Sequence, residues 1–194
     1  MIEAWPGLVS EPAAGLIDDS LVLLPFIGEA ARLVDVGSGG GLPGLPLKLR
    51  RPDLHVTLIE SDQGKAAFLV QAAARLRLRG VEVLARSAEE VGQDARYRET
   101  FDVAVARALA PMRVLAELCL PLVRVGGTLL AQKTEKEDVS VARNAIQALG
   151  GSLEAVHTAP SDLRREGTIV VVRKVTLTPV AYPRRPGMPK RKPL

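Results

Sequence analysis

A glycine-rich turn constrains this chain more than any other feature of its sequence. The segment VDVGSGGGLPG (34–44) places five glycines directly after the apolar run 33–36 and before a stretch of helical period near 44–50. Glycine is needed where the backbone turns sharply from a strand into a helix, and its missing Cβ lets a ligand approach the backbone amides. Those amides then point at the ligand from the helix N-terminus. The segment therefore predicts a strand, a ligand-binding loop and a helix in an α/β fold.

Short apolar runs alternate with longer stretches of helical period along the rest of the chain. Seven runs have the length of strands, and predicted helices separate most of them, which indicates a doubly wound, mostly parallel seven-stranded α/β sheet. The last two runs lack a helix-length connector, so we expect one of them to be antiparallel. The predicted strands are 33–36, 55–60, 81–85, 101–106, 125–133, 152–158 and 167–175, and the predicted helices are 44–50, 64–79, 111–122 and 135–149.

The same patterns predict how the chain is divided. We expect a short N-terminal segment, helical in part (1–30), one main domain (31–178) and a C-terminal tail (179–194). A chain of 194 residues can bury a sizeable core without disulfides or a structural metal.

Few side chains in the sequence could bind a metal. The single cysteine, Cys119, excludes an internal disulfide and is predicted to be a core residue. His55 and His157 are predicted to lie on strands, and no cluster of ligands accompanies them, so we expect no metal site.

No segment approaches the ~20 apolar residues of a membrane helix, and the first ten residues lack the basic region of a secretory signal. We therefore expect a cytoplasmic protein.

The net charge of +4 comes from the tail. The segment YPRRPGMPKRKPL (182–194) holds five basic residues and no acid, and removing these five from the 26 basic side chains leaves 21 against 22 acidic ones. Because proline lacks an N–H, we expect neither a helix nor a central strand in this segment. Its charge favours binding to RNA phosphate; the alternative is a solvated tail that only aids solubility.

Two classes of ligand fit the glycine-rich turn. Gly39-x-Gly41-x-x-Gly44 satisfies the dinucleotide fingerprint, whereas Asp35-x-Gly37-x-Gly39-x-Gly41 is the form typical of class I S-adenosylmethionine methyltransferases. An acid at Asp35 favours a cationic sulfonium over an anionic pyrophosphate. Glu60, at the end of the second predicted strand, is placed to accept hydrogen bonds from a ribose, but NAD enzymes use the same device. These two acids leave both ligands open.

A second glycine turn favours the methyl donor. The segment VRVGGTLLAQK (123–133) matches the Gly-Gly turn into the fifth strand that recurs in the methyltransferase fold.

Several longer segments resemble one family. They are DVGSGGGLPGLPLKLRRPDL (35–54), LIES-x-x-x-K-x-x-FL (58–69), SAEE (87–90), VARALAP (105–111), LLAQK (129–133) and the tail PRRPGMPKRKPL (183–194). Together they resemble the glucose-inhibited division protein B family, bacterial enzymes that methylate N7 of a guanine in 16S ribosomal RNA. The resemblance implies S-adenosylmethionine as cofactor, 16S ribosomal RNA or the 30S subunit as partner, no membrane partner and a monomeric protein.

The resemblance also implies roles for individual residues. Asp35, Gly37, Gly39 and Leu42 of the turn would lie beside the donor. Glu60, Ser61 and Asp62 would surround its ribose, and Ala88 and Glu89 would surround its adenine. Arg107 would reach toward both the donor and the target base. Arg107 and Lys133 are the candidates for the catalytic site. Guanine N7 carries a lone pair and no proton, so the reaction needs alignment rather than a general base. We therefore expect these two cations to anchor guanine O6 or a phosphate.

The N-terminus departs from the family pattern. Members begin with a helical region of some forty residues and a basic dipeptide before Leu-Asp-Ser, whereas here MIEAWPGLVSEPAA precedes GLIDDS (15–20). We expect weaker RNA binding from a chain of this kind, and one alternative is therefore an inactive ribosome-binding protein that keeps the donor pocket. The dinucleotide fingerprint in the turn leaves a second alternative, an NAD(P)-dependent oxidoreductase.

Overall fold

A seven-stranded sheet forms the centre of the protein, whose computed structural model describes residues 13–29, 32–134 and 137–194. The strands are β1 (Arg32–Val36), β2 (His55–Ile59), β3 (Val81–Leu84), β4 (Phe101–Arg107), β5 (Val123–Thr134), β6 (Gly151–Thr158) and β7 (Gly167–Lys174). Their order across the sheet is β3-β2-β1-β4-β5-β7-β6.

Helices connect most of the strands and cover both faces of the sheet. They are α1 (Ala13–Leu21), α2 (Leu24–Ile27), α3 (Gly44–Arg50), α4 (Gln63–Arg75), α5 (Ala88–Gln93), α6 (Met112–Cys119), α7 (Arg143–Ala148) and α8 (Met188–Arg191), with 3₁₀ turns at Leu120–Leu122 and Val139–Ala142. Within the ranges described, no helix has the length and apolar character that crossing a bilayer requires.

The topology confirms the predicted doubly wound α/β class. Strand β1 pairs in parallel with β2 on one side and with β4 on the other, which places the switch in strand order beside β1. Ligands of such sheets bind beyond the carboxyl ends of the strands at this point. Strand β7 runs antiparallel to both β5 and β6, as predicted, because the connector 159–166 is shorter than the dozen or so residues of a crossover.

Two apolar clusters pack against the two faces of the sheet. Strand β1 contributes Val34 and Val36 to one cluster and Leu33 to the other, so it is buried from both sides. Cys119 lies in the first cluster, as predicted, and burial raises the pKa of its thiol. On α4, Phe68 and Ala72 are buried.

Three predicted helices are longer than the observed ones. Helix α4 ends at Arg75, because the backbone turns left-handed at Arg77 (φ 52°). Helix α6 passes into a 3₁₀ turn at Leu120, where Pro121 cannot continue an α-helix. Of the helix predicted over 135–149, residues 135 and 136 lie outside the described residues. The remainder begins as a 3₁₀ turn capped by the Asp138 side chain and is α-helical only in α7.

The predicted absence of a helix in the tail is wrong. One turn of helix, α8, forms there with a proline among its first two residues. The N–H groups of a first helical turn have no intrahelical acceptor, so a proline there loses no hydrogen bond. Part of the tail packs against the rest of the protein, since Pro183 and Pro189 are buried.

Candidate functional site

The glycine-rich turn joins β1 to α3 at the carboxyl edge of the sheet. Gly37, Gly39 and Gly41 have φ values of 73°, 52° and 86°, a region that other residues enter at a cost. The N–H groups of Gly37 and Ser38 donate to the carbonyl of Ile59 at 2.9 and 3.0 Å. The turn is thereby tied to the end of β2.

Asp35 lies beneath this turn. Its side chain is fully buried, and Oδ2 accepts a hydrogen bond from the Gly44 N–H at 2.9 Å. A Cβ on Gly44 would lie 2.7 Å from the same oxygen, so only glycine fits there. Burial, the largest cause, raises the pKa of Asp35 to about 7, and Oδ1 has no hydrogen-bond partner among the described residues. Asp35 therefore holds the start of α3 in place, and its contact with a donor stays a prediction.

The burial of Asp35 predicts a pH-dependent stability. Between about pH 4 and pH 7 the folded chain keeps a proton on Asp35 that the unfolded chain releases, so this contribution to stability is complete below pH 4 and is lost as the pH rises through 7. Relative to Asp35→Asn, which does not titrate, we expect the free energy of unfolding of the parent to fall by about 3 kcal/mol from pH 5 to pH 8. Urea unfolding of both proteins at each pH measures this difference, and parallel pH profiles would contradict it.

Glu60 also supports the turn. Its Oε2 accepts from the Gly39 N–H and its Oε1 from the Asp62 N–H, both at 2.9 Å. Asp62 in turn caps α4, because its side chain accepts from the Lys65 N–H at 2.8 Å. The acids after β2 therefore hold the turn and the start of α4 in a fixed relation.

A cavity of about 220 Å³ opens beside the turn and brings four predicted donor-binding residues together. Gly37, Ser61, Ala88 and Glu89 line it, and Val36 and Ile59 add apolar surface. These residues fit a nucleoside: apolar walls suit a flat base, and the Glu89 carboxylate can accept hydrogen bonds. Of the other predicted donor residues, Arg107 lines a second cavity, whereas Asp35, Gly39, Leu42, Glu60 and Asp62 line neither cavity.

The second cavity, of about 560 Å³, lies beyond the ends of β4 and β5. Both predicted catalytic-site residues line it. Arg107 pairs with Asp19 at 3.3 Å, and Lys133 pairs with Glu137 at 2.9 Å and donates to the Ala110 carbonyl. Leu109 lines both this cavity and the first one.

Asp19, on α1, is a site residue that was not predicted from the sequence. Its carboxylate is 1% exposed and accepts from Ser161 Oγ at 2.6 Å and from Arg164 Nε at 2.7 Å, in addition to Arg107. Gln132 donates to the Asp19 carbonyl at 2.6 Å. The partners of Asp19 lie from 88 to 145 residues away in sequence, so no local pattern could have identified them.

Comparison with known proteins identifies the family. Residues 11–166 match the family model described as rRNA small subunit methyltransferase G. The chain belongs to the GidB family. It is 44% identical to a relative of that name from Moorella thermoacetica, over 92% of this chain and 76% of the relative. It is 49% identical to one from Roseiflexus castenholzii, over 92% of this chain and 77% of the relative.

Solved structures of other methyltransferases share the fold of this GidB chain. A T. thermophilus 16S rRNA N2 methyltransferase, solved with S-adenosylmethionine and guanosine, superposes with a TM-score of 0.57 at 16% identity, over 84% of this chain and 40% of that one. The ribosomal protein L11 methylase from Lactobacillus delbrueckii subsp. bulgaricus gives a TM-score of 0.64 at 15% identity, over 88% and 83%. The class I methyltransferase fold predicted from the sequence is thus confirmed.

Proposed function

We propose that this GidB-family chain transfers a methyl group from S-adenosylmethionine to N7 of a guanine in 16S ribosomal RNA. The observation that carries the proposal is the pair of cavities that meet at Leu109, one lined by Gly37 and Glu89 and the other by Arg107 and Lys133. A donor in the first cavity and a base in the second would face each other across the end of β4.

The chain's own residues would bind and align the two reactants. S-adenosylmethionine supplies an electrophilic methyl carbon when it is bound. The walls formed by Ala88 and Ser61, with the Glu89 carboxylate, would hold its nucleoside in the smaller cavity. Because guanine N7 has a free lone pair, no residue of the chain has to remove a proton from it.

The larger cavity suits a guanine held from its Hoogsteen edge. Arg107, Lys133 and Arg164 bring three positive charges to this cavity, and Asp19 and Glu137 bring two negative ones. The cations would donate to guanine O6 or to a neighbouring phosphate, while their carboxylate partners fix the orientation of the donors. In a paired helix the N7 edge lies in the deep, narrow groove, so the target guanine must be unpaired or flipped out.

Transfer of labelled methyl from S-adenosylmethionine to small-subunit RNA tests this function. We expect label in 16S RNA and strand cleavage at 7-methylguanine, with ribosomal RNA lacking that guanine as the control. Label at a base amine or a ribose would contradict the proposal. Binding of S-adenosylhomocysteine without transfer to naked RNA or to 30S particles would favour the inactive binder, and binding of NADH alone would favour the oxidoreductase.

We further propose that the tail binds RNA phosphate and that the chain acts as a cytoplasmic monomer on its ribosomal substrate. Arg184 is paired with the buried Glu117 at 2.6 Å. Arg185, Lys190, Arg191 and Lys192 are exposed and have no ion pair within the described ranges. Four cations of the tail are thus free to meet phosphates.

Neutralising three of these cations should reduce the salt dependence of RNA binding. For the triple variant Arg185→Gln, Arg191→Gln and Lys192→Gln we expect the slope of log K against log salt concentration to fall in magnitude by about 2, because each lost phosphate contact removes ~0.7. Titration of a labelled 16S fragment at several salt concentrations measures the slope. The matched control is a triple variant with Gln at three exposed arginines of the opposite edge of the sheet, Arg75, Arg77 and Arg79. An equal loss in both triple variants would exclude a specific role for the tail.

A further inference from the structure

The C-terminal strap, defined as residues 179–194, is fixed to the body of the protein. Three groups of Arg184 donate hydrogen bonds to the carboxylate of Glu117, namely the backbone N–H at 2.9 Å, Nε at 2.8 and 3.2 Å and Nη2 at 2.6 Å. Glu117 lies on α6 and is fully buried. Gln93 donates to the Pro183 carbonyl at 2.7 Å, and Arg98 donates to the Tyr182 carbonyl at 2.7 Å. Partners on α5, on α6 and in the turn after α5 thus place the first half of the strap.

Beyond Arg184 the strap crosses the smaller cavity. Pro186, Gly187 and Lys190 line that cavity together with Gly37 and Ala88. Predicted donor-binding residues that follow β1 and β3 therefore form part of the cavity wall. Residues near the C-terminus of the chain form another part.

The strap also contacts a predicted donor-binding side chain. The N–H of Gly187 donates to Oε1 of Glu89 at 3.0 Å. Glu89 is 8% exposed, and its other oxygen, Oε2, makes no hydrogen bond to the described part of the chain. One oxygen of the carboxylate is thus held by the strap, and the other is left to accept from a ligand. A carboxylate fixed in this way loses less side-chain freedom when a ligand binds.

We propose that residues 186–190 of the strap form a wall of the methyl-donor site and position Glu89 to accept a hydrogen bond from the donor's adenine amine. The inference rests on the proposed function, since it takes the smaller cavity as the donor site. Gly187 and its neighbours are positioning residues that act through Glu89. The strap therefore contributes to donor affinity in addition to carrying cations.

Two shortened chains test the inference with S-adenosylhomocysteine as the probe. One ends after Arg185, which keeps the Arg184 to Glu117 pair and removes the wall; the other ends after Arg191 and keeps the wall. Both lose Leu194, whose carbonyl accepts from Arg113, so they are matched in that respect. By calorimetry we expect the Kd of the shorter chain to rise about tenfold or more, with the longer chain unchanged. Thermal unfolding without ligand shows whether each chain is folded.

Limited trypsin digestion of the full chain provides a second measurement. The bond between Lys190 and Arg191 lies in exposed residues of the strap, and we expect S-adenosylhomocysteine to slow its cleavage. The inference is overturned if the cleavage rate is unchanged or if all three chains have the same Kd. It is also overturned if removal of residues 186–194 tightens binding, because the strap would then block the cavity instead of forming its wall. Failure of the full chain to bind S-adenosylhomocysteine would instead refute the proposed function.

Discussion

A chain carrying Gly37→Ala is expected to transfer methyl groups about 100-fold more slowly than the parent. Gly37 has a φ of 73°, and a Cβ there would lie 2.5 Å from Cδ1 of Leu109. The left-handed backbone costs an alanine about 1 kcal/mol. The greater effect comes from Leu109, which must move to make room for the added Cβ. Because Leu109 lines both cavities, its movement changes the shape of both. A displacement of ~1 Å between reacting groups can lower a rate about 100-fold.

The matched control is Gly126→Ala, at the opposite edge of the sheet. Gly126 has a φ of 81°, and the atom nearest to an added Cβ is 3.4 Å away. This variant carries the same kind of backbone strain without a collision at the site. We expect both variants to lose thermal stability and only Gly37→Ala to lose single-turnover methyl transfer and affinity for S-adenosylhomocysteine. Equal transfer rates in the two variants would refute a role for the Gly37 contact.

Replacement of Asp19 by alanine is expected to destabilise the protein by about 3 kcal/mol or more. The change leaves Arg107 and Arg164, both largely buried, without their common carboxylate, and an unpaired buried charge is costly. Arg107 also loses the partner that fixes its orientation in the larger cavity. Urea unfolding measures the loss of stability. Methyl transfer under conditions where the variant is folded measures the effect on the site, which we expect to be a lower kcat.

Asp18→Ala is the control for this prediction, because Asp18 is exposed and adjacent in sequence. We expect its stability to stay within about 0.5 kcal/mol of the parent. Asp19→Asn keeps the size of the side chain and its acceptor oxygen, so it should recover part of the stability but less of the transfer rate. If Asp18→Ala and Asp19→Ala unfold at the same urea concentration, the network around Asp19 does not contribute to stability.

Local sequence identified residues that the fold brings together. The glycines of 37–44 predicted a turn, and three of them have the positive φ values that favour glycine. Gly37, Ser61, Ala88 and Glu89 line one cavity. The burial of Asp35 under the turn was not visible in the sequence. Its carboxylate accepts a hydrogen bond from the Gly44 N–H, and its contact with a donor stays a prediction.

The sequence by itself determined the seven strands and their order along the chain, several of the helices between them, the turn after β1 and the family. These depend on residues close together in the chain, whose apolar period and glycine content act locally. Only the tertiary structure decided that Asp19 pairs with Arg107 and Arg164, and that the strap lies across the cavity beside Glu89. Those contacts join residues 88 to 145 positions apart. Contacts between residues so far apart depend on the whole fold, because a charge that the fold buries must find a partner wherever the fold places one.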